Sequence, residues 1–201
     1  IAGGEGIRAI KIVDGQLMIF KPKAIYLLMG YDADSFQLVE LSTTLGIDYP
    51  QQAVAGNGGV YFFDYPNGLY FYARNQIIDI FEKIRPIIVL NEVNQTLLPQ
   101  ITLSWVNQRL WVSMPYTPQG TPSGAPSVNF VYDPTIGRGG AYTMFQSSTG
   151  YGLVSGCDWR DSLDNKFFLM TSSDSGFARV VKVDNYDNEY DDDKRLFKIK
   201  N

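Results

Sequence analysis

Residues 7–20 read IRAIKIVDGQLMIF, two apolar runs on either side of an Asp-Gly pair. Such a pair between apolar runs is the strongest short-range signal of a β-hairpin, because both turn residues must adopt positive φ angles. Similar arrangements recur three more times along the chain. The four predicted turns are Asp14-Gly15, Asn57-Gly58, Asn107-Gln108 and Asp164-Asn165.

The spacing of these turns predicts a repeated unit of four short strands. Successive turns lie 43, 50 and 57 residues apart, and a period of about 40 to 50 residues with four strands is typical of propeller blades. The sequence therefore predicts an all-β, β-propeller-like fold with about four antiparallel blades. We expect residues 1–201 to form one such domain or a fragment of a larger propeller, with blades at approximately 6–43, 49–80, 101–145 and 152–197.

Two segments interrupt this rhythm. Residues 81–100 carry apolar side chains at helical spacing but contain Pro86, so we expect a short helix or a crossing between blades. Residues 115–127 are rich in Pro and Gly and form a predicted loop. Apolar side chains outside a sheet need partners, so both segments are predicted to meet other subunits. The candidate interface residues are Phe81, Ile84, Ile87, Ile88 and Tyr116.

Net charge and the length of the apolar runs exclude some classes of binding partner. The net charge of −4 gives no general attraction to nucleic-acid phosphates or acidic lipids, and no apolar run approaches the roughly 20 residues that cross a bilayer. We therefore expect neither membrane insertion nor specific nucleic-acid binding. The single cysteine, Cys157, excludes an intrachain disulfide and is interpreted as a small core or near-surface residue.

The chain contains no histidine, which removes catalytic triads, histidine zinc sites and imidazole acid–base chemistry. Carboxylate pairs for glycoside cleavage remain conceivable, although none lies in a diagnostic sequence context. We predict that the protein is not an enzyme. The carboxylates considered are Asp32, Asp34, Glu40, Asp64 and Asp158.

No metal or cofactor site is predicted. The acidic run between Asp184 and Asp193 has oxygen ligands suited to Ca²⁺ but lacks the spacing of a known calcium loop, so it is interpreted as a solvated loop. The Gly-rich stretches 3–6 and 137–140 lack the Lys-Ser/Thr of a phosphate loop. Several aromatic residues could either stack on sugars or pack between blades, namely Tyr65, Tyr116, Tyr142, Tyr151 and Trp159.

Several strand-turn-strand segments resemble propeller-type virion proteins of tailed bacteriophages, such as tail nozzle, tail hub and minor tail proteins. The resemblance spans approximately residues 7–183. The segments that carry it are Ile19-Phe20-Lys21 to Ala24-Ile25-Tyr26, Asp32 to Leu41, Gly59 to Asp64, Gly68-Leu69-Tyr70, Asn107 to Val112 and Val131-Tyr132-Asp133-Pro134.

The resemblance implies a structural role without a cofactor: part of a phage tail or head-to-tail connector, assembled in the host cytoplasm from other virion proteins and copies of this chain. An alternative is a carbohydrate-binding or glycan-cleaving propeller that contacts a host surface glycan during adsorption. A third is a cellular interaction scaffold. Because the chain begins Ile-Ala-Gly-Gly and ends on a charged stretch, we expect it to belong to a longer polypeptide.

Overall fold

The computed structural model describes residues 5–32, 34–86, 95–115, 128–137, 139–146, 153–160, 162–164, 166–172, 178–182 and 196–198. Its elements in these ranges are 16 strands, in four four-stranded antiparallel sheets, and two short 3-10 helices. In every sheet the strands follow one another in chain order, each pairing with the next. This confirms the prediction of an all-β fold built from four antiparallel meanders.

Sheets 1 and 2 belong to one compact unit, residues 1–91. A 3-10 helix at Pro50–Gln52 precedes the first strand of sheet 2. Sheet 1 comprises β1 (Ala9–Val13), β2 (Gln16–Lys21), β3 (Ala24–Met29) and β4 (Gln37–Ser42), and sheet 2 comprises β5 (Ala53–Gly56), β6 (Gly59–Asp64), β7 (Gly68–Ala73) and β8 (Gln76–Asp79).

Sheets 3 and 4 belong to a second compact unit, residues 92–201. A 3-10 helix at Gln95–Gln100 precedes sheet 3. It lies beyond the apolar positions on which the helix prediction rested, and residues 82–85 form a turn. Sheet 3 comprises β9 (Thr102–Val106), β10 (Arg109–Met114), β11 (Val128–Asp133) and β12 (Ala141–Gln146), and sheet 4 comprises β13 (Leu153–Arg160), β14 (Lys166–Ser172), β15 (Ala178–Lys182) and β16 (Leu196–Lys198).

The predicted turns have the backbone of tight hairpins. Asp14 and Gly15 have φ angles of 48° and 75°, and Asn107 and Gln108 have 49° and 58°. Positive φ at both positions marks a type I′ turn, whose twist matches that of the paired strands. Asn57 and Gly58 share this geometry, and Asp164 also has a positive φ. Local turn chemistry therefore sets the register of the first hairpin in each sheet.

The core of the first unit lies between sheets 1 and 2. One face of sheet 1 contributes Met18, Phe20, Ile25 and Leu27, all at most 2% exposed. The ring of Phe20 lies 5.4 Å from that of Phe62 in sheet 2, and β1 also contacts β5 and β6. The two sheets therefore pack face to face, with their first strands adjacent.

In the second unit, sheets 3 and 4 also adjoin along their first strands. The Ser104 hydroxyl of β9 accepts a 3.0 Å hydrogen bond from the backbone N–H of Gly156 in β13. Thr102 donates its hydroxyl proton to the Val154 carbonyl, and the Asn107 N–H donates to Asp158 at 3.0 Å. Both units thus repeat one arrangement, two meanders joined at their first strands. The prediction that all four sheets form a single propeller-like domain stays a prediction.

Candidate interaction surface

Sheet 1 has a second face, opposite the core, with two rows of mostly apolar side chains. Residues directly opposite one another on paired strands share a face, so strand register defines its rows. We call this surface the outer face of sheet 1. Its first row is Ile12, Leu17, Leu28 and Leu38, and its second row is Ile10, Ile19, Tyr26 and Glu40.

The exposed part of the outer face lies mainly on its edge strands, because Tyr26 on β3 is only 6% exposed and Ile19 and Leu28 are half-buried. Ile12 is 67% and Ile10 52% exposed on β1, while Leu17 and Leu38 are 38% and 42% exposed. Phe36, two residues before Leu38, is 54% exposed. Single exposed apolar residues are ordinary, but a contiguous apolar patch marks an interaction site more often than bare surface.

Sheet 2 shows what a covered second face looks like. Tyr61 and Phe63 point away from sheet 1 and are fully buried. The Tyr61 ring stacks on Phe71 at 4.3 Å, and the Phe63 ring meets Phe81 edge-on at 5.9 Å. Both faces of sheet 2 therefore carry fully buried side chains, whereas among the described residues the outer face of sheet 1 keeps Ile10, Ile12, Leu17 and Leu38 exposed.

The sequence-predicted interface residues fall into two groups. Phe81 is fully buried and Ile84 is 8% exposed, and the Phe81 N–H donates a 2.8 Å hydrogen bond to Asp79. Phe81 packs against Phe63 within its own unit, and Ile84 is buried. Ile87, Ile88 and Tyr116 lie outside the described residues, so the predicted interface of segments 81–100 and 115–127 now depends on them.

The outer face was missed by the sequence analysis, although a signal was present. A sheet with one solvated face alternates apolar and polar residues along each strand. Strands β2 and β3 instead read QLMIFK and AIYLLM, with apolar side chains toward both faces. Such uninterrupted apolar runs are typical of strands that are buried on both faces.

Four of the candidate carboxylates have structural partners. Asp32 accepts a 2.8 Å hydrogen bond from the Ser35 N–H within a turn, and Asp158 accepts the one from Asn107 already described. Glu40 accepts a hydrogen bond from Tyr26, whose pKa is raised by burial and by that carboxylate. Asp64 accepts a 2.6 Å hydrogen bond from Asn67, and Asp34 lies exposed in a turn. These roles stabilise turns and sheet contacts.

Asp64 is the most perturbed of these groups. Its side chain is buried at the end of β6. Burial raises the pKa of this carboxyl to about 6, against the lowering effects of hydrogen bonds from Asn67 and the Gly46 backbone, and nearby Asp48 raises it further. A raised pKa marks some active sites, but the neighbours of Asp64 are turn residues.

The remaining sequence candidates are dispersed. Cys157 is exposed on β13, and its neighbour Trp159 is 47% exposed. Tyr142 packs its ring against Tyr132 at 4.9 Å, while Tyr65 is half-buried. The acidic run 184–193 and Tyr151 lie outside the described residues. Within the described part of the chain, no group of three potential ligands is placed to hold a metal ion.

A shallow, open depression lies where the chain enters sheets 1 and 2. Ile7, Arg8, Asp48, Tyr49 and Pro50 line it. Small-molecule sites are usually concave and largely apolar, whereas this depression is open to solvent. Its charged side chains are Arg8 and Asp48, and none of its lining residues is a typical nucleophile. We assign it no chemistry.

Among the residues whose structure is described, no helix has the length and apolar character needed to span a membrane. No family model matches the sequence, and no curated protein matches it significantly.

Proposed function

We propose that this chain is a structural component of a tailed-bacteriophage virion, which builds part of the tail or of the head-to-tail connector through protein–protein contacts. It is not an enzyme in this proposal and needs no cofactor. Its partners are other virion proteins and copies of itself, and it is assembled in the host cytoplasm. The supporting observation is the apolar outer face of sheet 1, on which Ile10, Ile12, Leu17 and Leu38 are exposed.

Physical chemistry links that face to assembly. Each Å² of apolar surface left in water forgoes roughly 25 cal/mol, so a contiguous patch is retained where something covers it. The four meanders supply stiff sheets held by backbone hydrogen bonds. A stiff sheet with one uncovered apolar side suits an assembly protein better than a catalyst, which needs convergent polar groups in a pocket.

The propeller part of the proposal draws on the two units. In each unit the first strands of two consecutive meanders adjoin, as neighbouring blades do around a propeller axis. The proposal of a phage virion protein is supported by the sequence resemblance. The segments that carry this resemblance lie on the strands of the sheets and the turns between them. Ile19 to Tyr26, for example, runs from β2 through its turn into β3.

The test is whether the chain is part of a particle. An antibody raised against the purified chain should label virions in electron micrographs, and the chain should migrate with intact particles in a density gradient. Particles that lack the chain while free protein is abundant in the same lysate would refute the proposal. A wash in high salt separates tightly built-in protein from adsorbed protein, since adsorption by surface charge is screened.

A second candidate, binding of a host surface glycan during adsorption, is favoured by Trp159, which is 47% exposed on β13. Exposed aromatic rings of this kind can stack on sugars. Loss of glycan binding in Trp159→Ala, with the fold retained, would support this role. Sugar release that one carboxylate substitution abolishes would instead make the protein an enzyme.

A further inference from the structure

The outer face of sheet 1 can be assigned an occupant. We propose that it packs against the same face of a second copy of this chain, so that two copies form a dimer across a twofold axis. The inference rests on the proposed function, because self-association is one of the contacts that function requires. It names the surface, the partner and the packing mode.

Charge favours a second copy over a charged partner. Of the eight side chains in the two rows, Glu40 alone is charged, and it lies on the edge strand β4. The middle of the face is formed by Leu17, Ile19 and Leu28. Two copies can therefore meet without bringing like charges together at the centre. Because its middle is aliphatic and uncharged, such a face can be complementary to itself, as a twofold interface requires.

The size of the face also fits. At roughly 200 Å² for a fully exposed large side chain, the exposed parts of Ile10, Ile12, Leu17, Phe36 and Leu38 amount to roughly 500 Å². Two copies would bury roughly 1,000 Å² in total, near the lower limit for a specific interface. The dimer should therefore be weak and reversible, with a dissociation constant on the order of 10–100 µM.

The proposed dimer would use the same face-to-face sheet packing that sheets 1 and 2 already show. Sheet 1 presents Met18, Phe20, Ile25 and Leu27 to sheet 2 in a face-to-face contact. The outer face offers side chains of the same kind on the same strands at alternate positions. Face-to-face sheets lie about 10 Å apart, so the dimer would place sheet 1 between two sheets.

The first experiment is sedimentation equilibrium of the full chain over a range of concentrations. We expect a monomer–dimer equilibrium that Ile12→Glu weakens at least about tenfold, because it would bury two unpaired carboxylates. Ile78→Glu is the matched control, since Ile78 is 46% exposed on a strand of sheet 2, and it should leave the equilibrium within about twofold. Circular dichroism establishes that each variant is folded.

The second experiment locates the contact. In a Cys157→Ser background, Leu17→Cys places a thiol near the predicted twofold axis, whereas Leu163→Cys places one on a turn residue 80% exposed and outside the face. A bis-maleimide about one sheet spacing long should link copies of the first variant and not of the second. Equal linkage, or linkage of neither, would overturn the inference.

The outcomes separate the inference from the proposed function. A chain that stays monomeric at several hundred micromolar, or a dimer that Ile12→Glu leaves intact, overturns the self-packing of this face. If the same chain nevertheless migrates with virions, the proposed function stands and another virion protein covers the face. A dimer that never enters a particle overturns the proposed function alone.

Discussion

Asp64 shows how a single carboxyl can make the stability of the fold depend on pH. It is 6% exposed, and its folded pKa of about 6 lies above its ordinary value of 3.8. The folded state therefore retains a proton that the unfolded chain has lost between these values. Its favourable contribution is complete below pH 3.8 and disappears as the pH rises through about 6.

From this sign we predict that lowering the pH from 7 to 5 raises the contribution of Asp64 to the free energy of unfolding by about 1 kcal/mol. Asp64→Asn cannot ionise and should remove that part of the pH dependence, measured by urea unfolding at both pH values. Asp133→Asn is the contrast. The pKa of Asp133 is lowered, mainly by the Thr135 hydroxyl, so its contribution is lost only at more acidic pH. An unchanged slope in Asp64→Asn would refute the prediction.

Two adjacent glycines give a matched pair for testing backbone geometry. Gly140 has a φ of +69°, and a Cβ atom there would lie 2.2 Å from the Tyr132 ring, whereas one at Gly139 would meet nothing within 4 Å. We predict that Gly140→Ala lowers the free energy of unfolding by about 2 kcal/mol or more, from both the positive φ and the clash. Gly139→Ala should cost well under 1 kcal/mol. Similar losses in thermal unfolding for both would contradict this.

At the level of elements, the hairpin turns differ in how well their residues suit the geometry. Gln108 adopts a φ of +58° without being glycine, at a position where Gly58 stands in the corresponding turn of sheet 2. We predict that Gln108→Gly raises the free energy of unfolding by about 0.5 kcal/mol, because relief of backbone strain exceeds the added freedom of the unfolded chain. Gln37→Gly, within strand β4, should instead lower it. Chemical denaturation measures both.

The same elements show what a sequence reveals and what it hides. The hairpins were predictable because Asp14-Gly15 and Asn107-Gln108 carry their turn chemistry locally. The outer face left a signal only in the continuous apolar runs of β2 and β3, and the exposure of Ile12 on β1 could not be read from its own strand. Phe81 illustrates the converse: its apolar side chain outside a sheet indicated a contact, but only coordinates show that Phe63 is the neighbour.

For the whole molecule, the sequence predicted four blades because a repeated turn spacing reflects a repeated unit. Closure of a ring is a different matter. It depends on contacts between the end sheets, which involve residues far apart in the chain and no local motif. The interface that we propose on the first sheet shares this property, because a second surface would complete it. The proposed function is therefore tested on the intact virion particle.

The last prediction concerns the segment 81–100 in that particle. Phe81 and Ile84 are buried, so the predicted contact with a neighbour is tested at Ile87 and Ile88. A carboxylate at either position would have to be desolvated in an apolar interface, at several kcal/mol. We therefore predict that Ile88→Asp lowers incorporation into particles at least about tenfold, whereas Asp192→Asn changes it little. Circular dichroism and thermal unfolding of the free variants control for misfolding. Normal incorporation of a folded Ile88→Asp chain would make this segment an ordinary connection between sheets and leave the outer face of sheet 1 as the assembly surface.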